Sequence, residues 1–87
     1  MTDSDWTIYV QATNGELYDI IIDKNKTFSD LRNKASAKVG IPFKDLVFVG
    51  AEEYDYSYNS KRLCDLGYPF INGITLYAVN KINGGNK

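Results

Sequence analysis

Histidine is absent from this sequence, and cysteine occurs once, as Cys64. A single cysteine excludes a disulfide within the chain. Structural zinc sites draw on several Cys or His ligands, so no metal site is expected. With no imidazole to act as its base and no Cys-X-X-Cys neighbour, Cys64 lacks the activators that nucleophilic catalysis needs. It reads as a small, partly buried residue. Charge of one sign is also lacking: ten basic and eleven acidic side chains leave a formal net charge of −1. Neutralising phosphates takes a clustered excess of Lys and Arg, so neither nucleic acid nor a membrane surface is an expected partner. No apolar run approaches membrane-spanning length. Residues 1–5 are polar and acidic, without the basic and apolar regions of a signal peptide. Paired carboxylates and phosphate loops are missing too. The chain is therefore expected to be soluble and intracellular, in the cytoplasm or nucleus, to need no cofactor and not to be an enzyme.

What is present suits one small folded domain. The 87 residues are 44% hydrophobic and 24% charged, a balance that argues against disorder. Residues 6–11 alternate, with Trp6, Ile8 and Val10 on one face and Thr7, Tyr9 and Gln11 on the other. Aromatic and β-branched residues at period two predict a strand with one buried face. Asn14-Gly15 is a hairpin signal, because both residues tolerate positive φ. A second strand is expected over 16–23, with Tyr18, Ile20 and Ile22 inward. Thr27 and Asp30 have the spacing of a capping box and predict a helix start. Phe28, Leu31, Ala35 and Val39 share one helical face. Gly40 is placed to end the helix in a left-handed conformation, and Pro42 cannot continue it.

Leu46–Val49 reads as a short strand ended by Gly50. Residues 51–62 are acidic and irregular, a long loop with a short strand in which Tyr54, Tyr56 and Tyr58 pack locally. Glu52, Glu53 and Asp55 are read as solvated. Residues 63–68 predict one helical turn before Pro69, and residues 74–79 a last strand after the turn at Asn72-Gly73. The order is hairpin, helix, strand, irregular segment, strand. A right-handed crossover is expected to set the third strand beside the hairpin, with the helix across one face of a mixed sheet: an α+β roll. The predicted core is Trp6, Ile8, Val10, Ile20, Ile22, Phe28, Leu31, Leu46, Phe48 and Leu76. Residues 1–5 are expected to be a flexible tail, 6–80 the domain and 81–87 a second tail rich in Gly and Asn.

Several segments resemble ubiquitin. Trp6-Thr7-Ile8-Tyr9-Val10 is similar to its opening strand, and the spacing from Gly15 through Thr27 to Gly40-Ile41-Pro42 matches it. Leu46-Val47-Phe48-Val49-Gly50 resembles its Leu-Ile-Phe-Ala-Gly segment. Ile74-Thr75-Leu76-Tyr77-Ala78-Val79 resembles its Ser-Thr-Leu-His-Leu-Val strand. Asn80-Lys81-Ile82-Asn83-Gly84-Gly85 matches the spacing of its diglycine tail. This chain is shorter between Pro42 and Leu46 and longer between Gly50 and Leu63 and near Pro69. Asn83 stands where ubiquitin has arginine, and Ala51 where it has its main chain-building lysine.

The resemblance implies a β-grasp fold and a ubiquitin-like protein modifier. Such a modifier is made as a short precursor, cut after Gly85, and joined through the Gly85 carboxylate to target-protein lysines by an isopeptide bond. Its partners would be a processing protease, activating and conjugating enzymes, and ubiquitin-like-binding domains, and it would act as a monomer. Gly84 and Gly85 suit threading through a narrow cleft because they lack Cβ. Lys81 and Ile82 would be recognised on the tail. Val47, Gly50, Tyr77 and Val79 occupy the positions of ubiquitin's partner-binding patch, and alternation turns Val47, Tyr77 and Val79 away from the helix. Tyr9, Leu17 and Ile21 form a second outward set, read as cross-strand packing. Two alternatives stay open: a docking domain that is never conjugated, perhaps cut from a longer protein, and a β-grasp sulfur carrier.

Overall fold

The computed structural model describes residues 4–81. Strand β1 spans Asp5–Gln11 and pairs antiparallel with β2, Leu17–Asp23. The alternation read from the sequence is observed: Ile8, Val10, Ile20 and Ile22 are buried on the inner face. The connecting turn differs from a two-residue Asn-Gly hairpin. Thr13, Asn14 and Gly15 all lie in the loop, closed by Ala12 N–H donating to the Glu16 carbonyl at 2.8 Å. Only Gly15 has positive φ, at 90°. Asn14 contributes its side chain, whose Oδ1 accepts the Glu16 N–H at 2.9 Å.

Helix α1 spans Phe28–Val39 with the expected caps at both ends. The Asp30 N–H donates to Thr27 Oγ1, and the Asp30 carboxylate accepts the Thr27 N–H at 3.1 Å. Gly40 adopts φ 78° and donates its N–H to the Ser36 carbonyl at 3.0 Å. The free N–H groups of the first turn find partners far along the chain: Phe28 donates to the Lys61 carbonyl and Ser29 to that of Asn59. The irregular segment thus satisfies donors that a helix start leaves open.

After a 3₁₀ turn at Phe43–Asp45 come β3, Leu46–Val49, and the two-residue β4, Glu53–Tyr54. Further 3₁₀ turns occupy Tyr56–Tyr58 and Leu63–Asp65, and β5 is Thr75–Asn80. The sheet order is β2-β1-β5-β3-β4. β5 runs parallel to β1 and antiparallel to β3. The expected placement of the third strand beside the hairpin is therefore corrected: the last strand takes that position, and β3 lies beyond it. The mixed sheet with one helix across it is a β-grasp α+β fold.

The core is Ile8, Val10, Ile20, Ile22, Phe28, Leu31, Leu46, Phe48 and Leu76, as read from periodicity, together with Ala35, Ile41, Tyr54, Leu63, Phe70 and Ala78. Trp6 was expected inside it, yet is only partly buried and packs against its margin. The reason is the sheet's outline: β5 first pairs with β1 at Tyr9, so Trp6 extends beyond that neighbour. The aromatic members cluster around Phe28, with Phe48, Tyr54, Tyr58 and Phe70 at 5.7–6.3 Å between ring centroids.

One buried residue among those described is charged. Arg32 is 1% exposed and sits on the same helical stripe as Phe28, Leu31 and Ala35. Its guanidinium donates to the Leu46 carbonyl through Nη2 at 2.9 Å and Nε at 3.2 Å, to the Phe43 carbonyl, and to Asn59 Oδ1 at 3.0 Å. It also lies 4.3 Å from the centroid of the Phe43 ring. Loss of water pushes the Arg32 pKa down, and the field of Asp55 opposes that. One side chain thereby ties the helix, the start of β3 and the irregular segment together.

Candidate functional site

The outer face of the sheet is set by strand register. Val47 stands opposite Val79, and Val49 opposite Tyr77. Gln11 pairs with Tyr77 on one side and Leu17 on the other. The outward row therefore reads Leu17, Gln11, Tyr77, Val49 across four strands. Tyr77 is 52% and Val79 37% exposed, as expected from alternation. Val47 is not exposed: it retains 7%. It is absent from the helix-facing core and lines a pocket together with Lys44, Glu53, Asp55, Tyr56 and Lys81. The expectation that Val47 belongs to an open surface is corrected. Residues of the 3₁₀ turn, β4 and the segment after it surround the position that alternation turns outward, which leaves Val47 at the bottom of a pocket and not on an open face. A Val47→Lys change consequently tests burial and not docking.

Gly50 is exposed, but its lack of a side chain has a packing reason. A Cβ there would come within 3.2 Å of Leu76. Of the second outward set, Leu17 and Ile21 are exposed and Tyr9 is partly buried. Tyr9 faces Asp19, which makes Leu17 and Ile21 its two diagonal cross-strand neighbours, within reach of an aromatic ring.

The acidic residues of the irregular segment lie at the surface, Glu52 and Glu53 exposed as read and Asp55 partly buried, and each makes a surface hydrogen bond or ion pair. The Tyr58 hydroxyl donates to Glu52 at 2.7 Å, a bond that raises the Tyr58 pKa. Asp55 accepts the Ser57 hydroxyl at 2.6 Å and its N–H at 3.0 Å, and both lower the Asp55 pKa. Glu53 pairs with Lys81 at 2.7 Å and raises the Lys81 pKa. Tyr54, by contrast, is core; burial raises its pKa first and the Glu52 charge second. Cys64 is partly buried, with Asn25 Oδ1 and Asp65 Oδ1 within 3.9 Å of its sulfur.

At the root of the tail, β5 continues through Asn80, and the Lys81 N–H donates to the Asp45 carbonyl at 2.7 Å. The chain is thus held against the sheet up to Lys81, the first residue of the expected tail. Ile82, Gly84 and Gly85 lie outside the described residues. Arg32 is the buried residue that sequence reasoning missed; position 32 falls on the 28-31-35 stripe and was detectable from helical period. Tyr56, expected to pack locally, is instead 72% exposed and lines the pocket beside Val47.

Among the described residues no group of three or more Cys, Asp or Glu side chains is placed to hold a metal ion. No helix there is long and apolar enough to cross a membrane.

The fold so described is that of the ubiquitin-like β-grasp proteins. A solved structure titled as a de novo design based on ubiquitin superposes with a TM-score of 0.71 at 17% identity, covering 99% of this chain and 100% of that chain. No protein-family model and no curated protein matches the sequence.

Proposed function

We propose that the chain is a ubiquitin-like protein modifier, processed after Gly85 and joined to target lysines through the Gly85 carboxylate. The reading is supported by one coincidence: a ubiquitin-like fold whose last strand is followed, at ubiquitin's spacing, by Gly84-Gly85. In that chemistry the carboxylate displaces pyrophosphate from ATP to give an adenylate. An enzyme cysteine then displaces AMP to form a thioester, and a lysine amine displaces the thiol to leave an isopeptide bond. Lys81 and Ile82 would be the enzyme-contacting residues of the tail. Engagement of Lys81 by an enzyme would mean leaving Glu53, at small cost, since exposed ion pairs contribute about 0–1 kcal/mol. Gly85→Ala should abolish larger adducts in a lysate of the source cells while shifting stability by less than about 0.5 kcal/mol. Blotting with an antibody to the folded domain reads the adducts. Undiminished adducts from Gly85→Ala would exclude Gly85 as the joining residue.

A second reading, a domain that only docks, is favoured by the exposed Tyr77 and Val79. Exposed apolar groups near a polar rim are candidate partner contacts. Val79→Lys should leave the denaturation midpoint nearly unchanged and weaken binding to ubiquitin-like-binding domains about tenfold or more, measured by titration calorimetry. Equal affinity would remove this face from the docking surface.

A further inference from the structure

We infer that Tyr56 is a site of tyrosine phosphorylation, and that the phosphate it gains is received by Lys44 and Lys81 in the pocket beside it. Tyr54, Tyr56 and Tyr58 alternate along one short segment, and the fold treats them differently. Tyr54 is 1% exposed and belongs to the core. The Tyr58 hydroxyl is committed to Glu52 at 2.7 Å, and its ring packs on Phe28 and Tyr54. Tyr56 is 72% exposed, and its hydroxyl has no hydrogen-bond partner among the described residues. It opens the 3₁₀ turn Tyr56–Tyr58, which Asp55 caps and which packed rings fasten on either side. The ring is therefore presented outward from a fixed turn. Glu52, Glu53 and Asp55 stand just N-terminal of it. Such a run complements the basic substrate groove of an acid-directed tyrosine kinase. The other two exposed tyrosines lack this setting. Tyr77 is held in β5 between two paired strands. Tyr68 stands between Gly67 and Pro69, with Asp65 the nearest acid before it.

The step is a phosphoryl transfer from ATP. The Tyr56 oxygen bonds to the γ-phosphorus, the bond to the β,γ-bridging oxygen breaks, ADP leaves, and the phenolic proton passes to the base of the kinase. The product carries about −1.5 to −2 charges at pH 7 and three acceptor oxygens. Tyr56 shares with Lys44 and Lys81 the lining of a pocket of about 270 Å³, to which Val47, Glu53 and Asp55 also contribute. Two ammonium groups match a dianion, and the two carboxylates oppose it. Asp55 is already occupied by the Ser57 hydroxyl and N–H. Glu53 pairs with Lys81 at 2.7 Å, but the pair is exposed and therefore weak. Lys44 forms no ion pair among the described residues. The phosphate, with more charge than one carboxylate, takes Lys81 from Glu53 and adds Lys44. Neither Gly85 nor the Tyr77 and Val79 face enters this, so the site stands or falls separately from the modifier reading.

The test uses the full chain, a purified acid-directed tyrosine kinase and ATP. Beside it runs a synthetic peptide of residues 50–62 carrying Tyr54→Phe and Tyr58→Phe. Mass mapping should place one phosphate on Tyr56 in both. Tyr56→Phe should remove it from the full chain and leave the denaturation midpoint unchanged. Phosphorus NMR of the two products then separates docking from modification alone. The lysines favour the dianion, so the second pKa of the phosphate, about 6 when free, should fall. It should lie at least about half a unit lower in the folded chain than in the peptide. A Lys44→Gln, Lys81→Gln double variant should abolish that difference. Glu53→Gln, which releases Lys81 and removes an opposing charge, should enlarge it. The proposal is overturned if the kinase modifies neither substrate, modifies the peptide alone, or prefers Tyr68 or Tyr77 of the chain. It is equally overturned if the phosphate of the folded chain titrates with or above that of the peptide, or if the lysine variant keeps the lower value.

Discussion

Phe28→Ala should destabilise the domain by about 3–5 kcal/mol, the range for truncating a buried aromatic ring. The ring has no solvent exposure and is the hub of the aromatic cluster. It meets Phe48 edge-on at 5.7 Å and Phe70 at 6.3 Å, and contacts both Tyr54 and Tyr58 of the irregular segment. Tyr54 in turn packs on Tyr58 and Phe70, so neighbouring rings brace one another and cannot easily collapse into the void. Small domains have roughly 5–15 kcal/mol in total. At about 4–8 °C per kcal/mol for this size, the melting temperature should fall by about 12 °C or more. Thermal melts followed by near-ultraviolet circular dichroism check this. A fall of about 4 °C or less would mean that the irregular segment is not anchored through Phe28.

Arg32→Ala should be comparably costly, about 3–5 kcal/mol, for a different reason. The guanidinium fork satisfies the carbonyls of Phe43 and Leu46 and the Asn59 side chain in one place, with the Phe43 ring stacked against it. Removing it leaves buried acceptors without donors and opens space beneath the start of β3. Arg32→Lys should not rescue most of the loss, because an ammonium is a point charge without the planar fork or the stacking face. Urea denaturation of the Ala, Lys and Met variants separates the contributions. A Lys variant as stable as the parent would show that charge alone matters and that the fork geometry does not.

These two residues also show which parts of the fold were legible. Strands β1 and β2 and the helix announce themselves because each buries a face at a fixed period, and because Thr27, Asp30 and Gly40 stand where helix ends need them. The irregular segment offers no period. Tyr54, Leu63 and Phe70 each enter the core singly, from a two-residue strand, a 3₁₀ turn and a loop. Their placement follows from pairings remote in sequence, such as the Leu63 N–H donating to the Lys26 carbonyl. Arg32 lay on a readable stripe, but its type suggested solvent. Only the convergence of three distant acceptors makes burial tolerable. For the candidate docking face, alternation correctly turned Tyr77, Val79 and Val47 to one side. It carried no information on what surrounds that side, where Lys44, Glu53, Asp55, Tyr56 and Lys81 line a pocket with Val47.

The order of the sheet has the same character. A hairpin and a following helix constrain handedness, not which later strand fills the position beside β1. That is settled by β5 pairing on both its sides, with Tyr9 to Gln11 on one and Leu46 to Val49 on the other. Beyond Tyr77 the pairing with β3 alone continues to Asn80, opposite Leu46, and the Lys81 N–H donates to the Asp45 carbonyl.

The modifier reading is tested most directly by the intact mass of the full chain after incubation with ATP and lysate of its source cells. The account predicts loss of Asn86 and Lys87, leaving Gly85 as the last residue. Thiol-sensitive and then thiol-resistant larger species should follow. A chain that keeps Lys87 throughout, with no larger adducts, would contradict it.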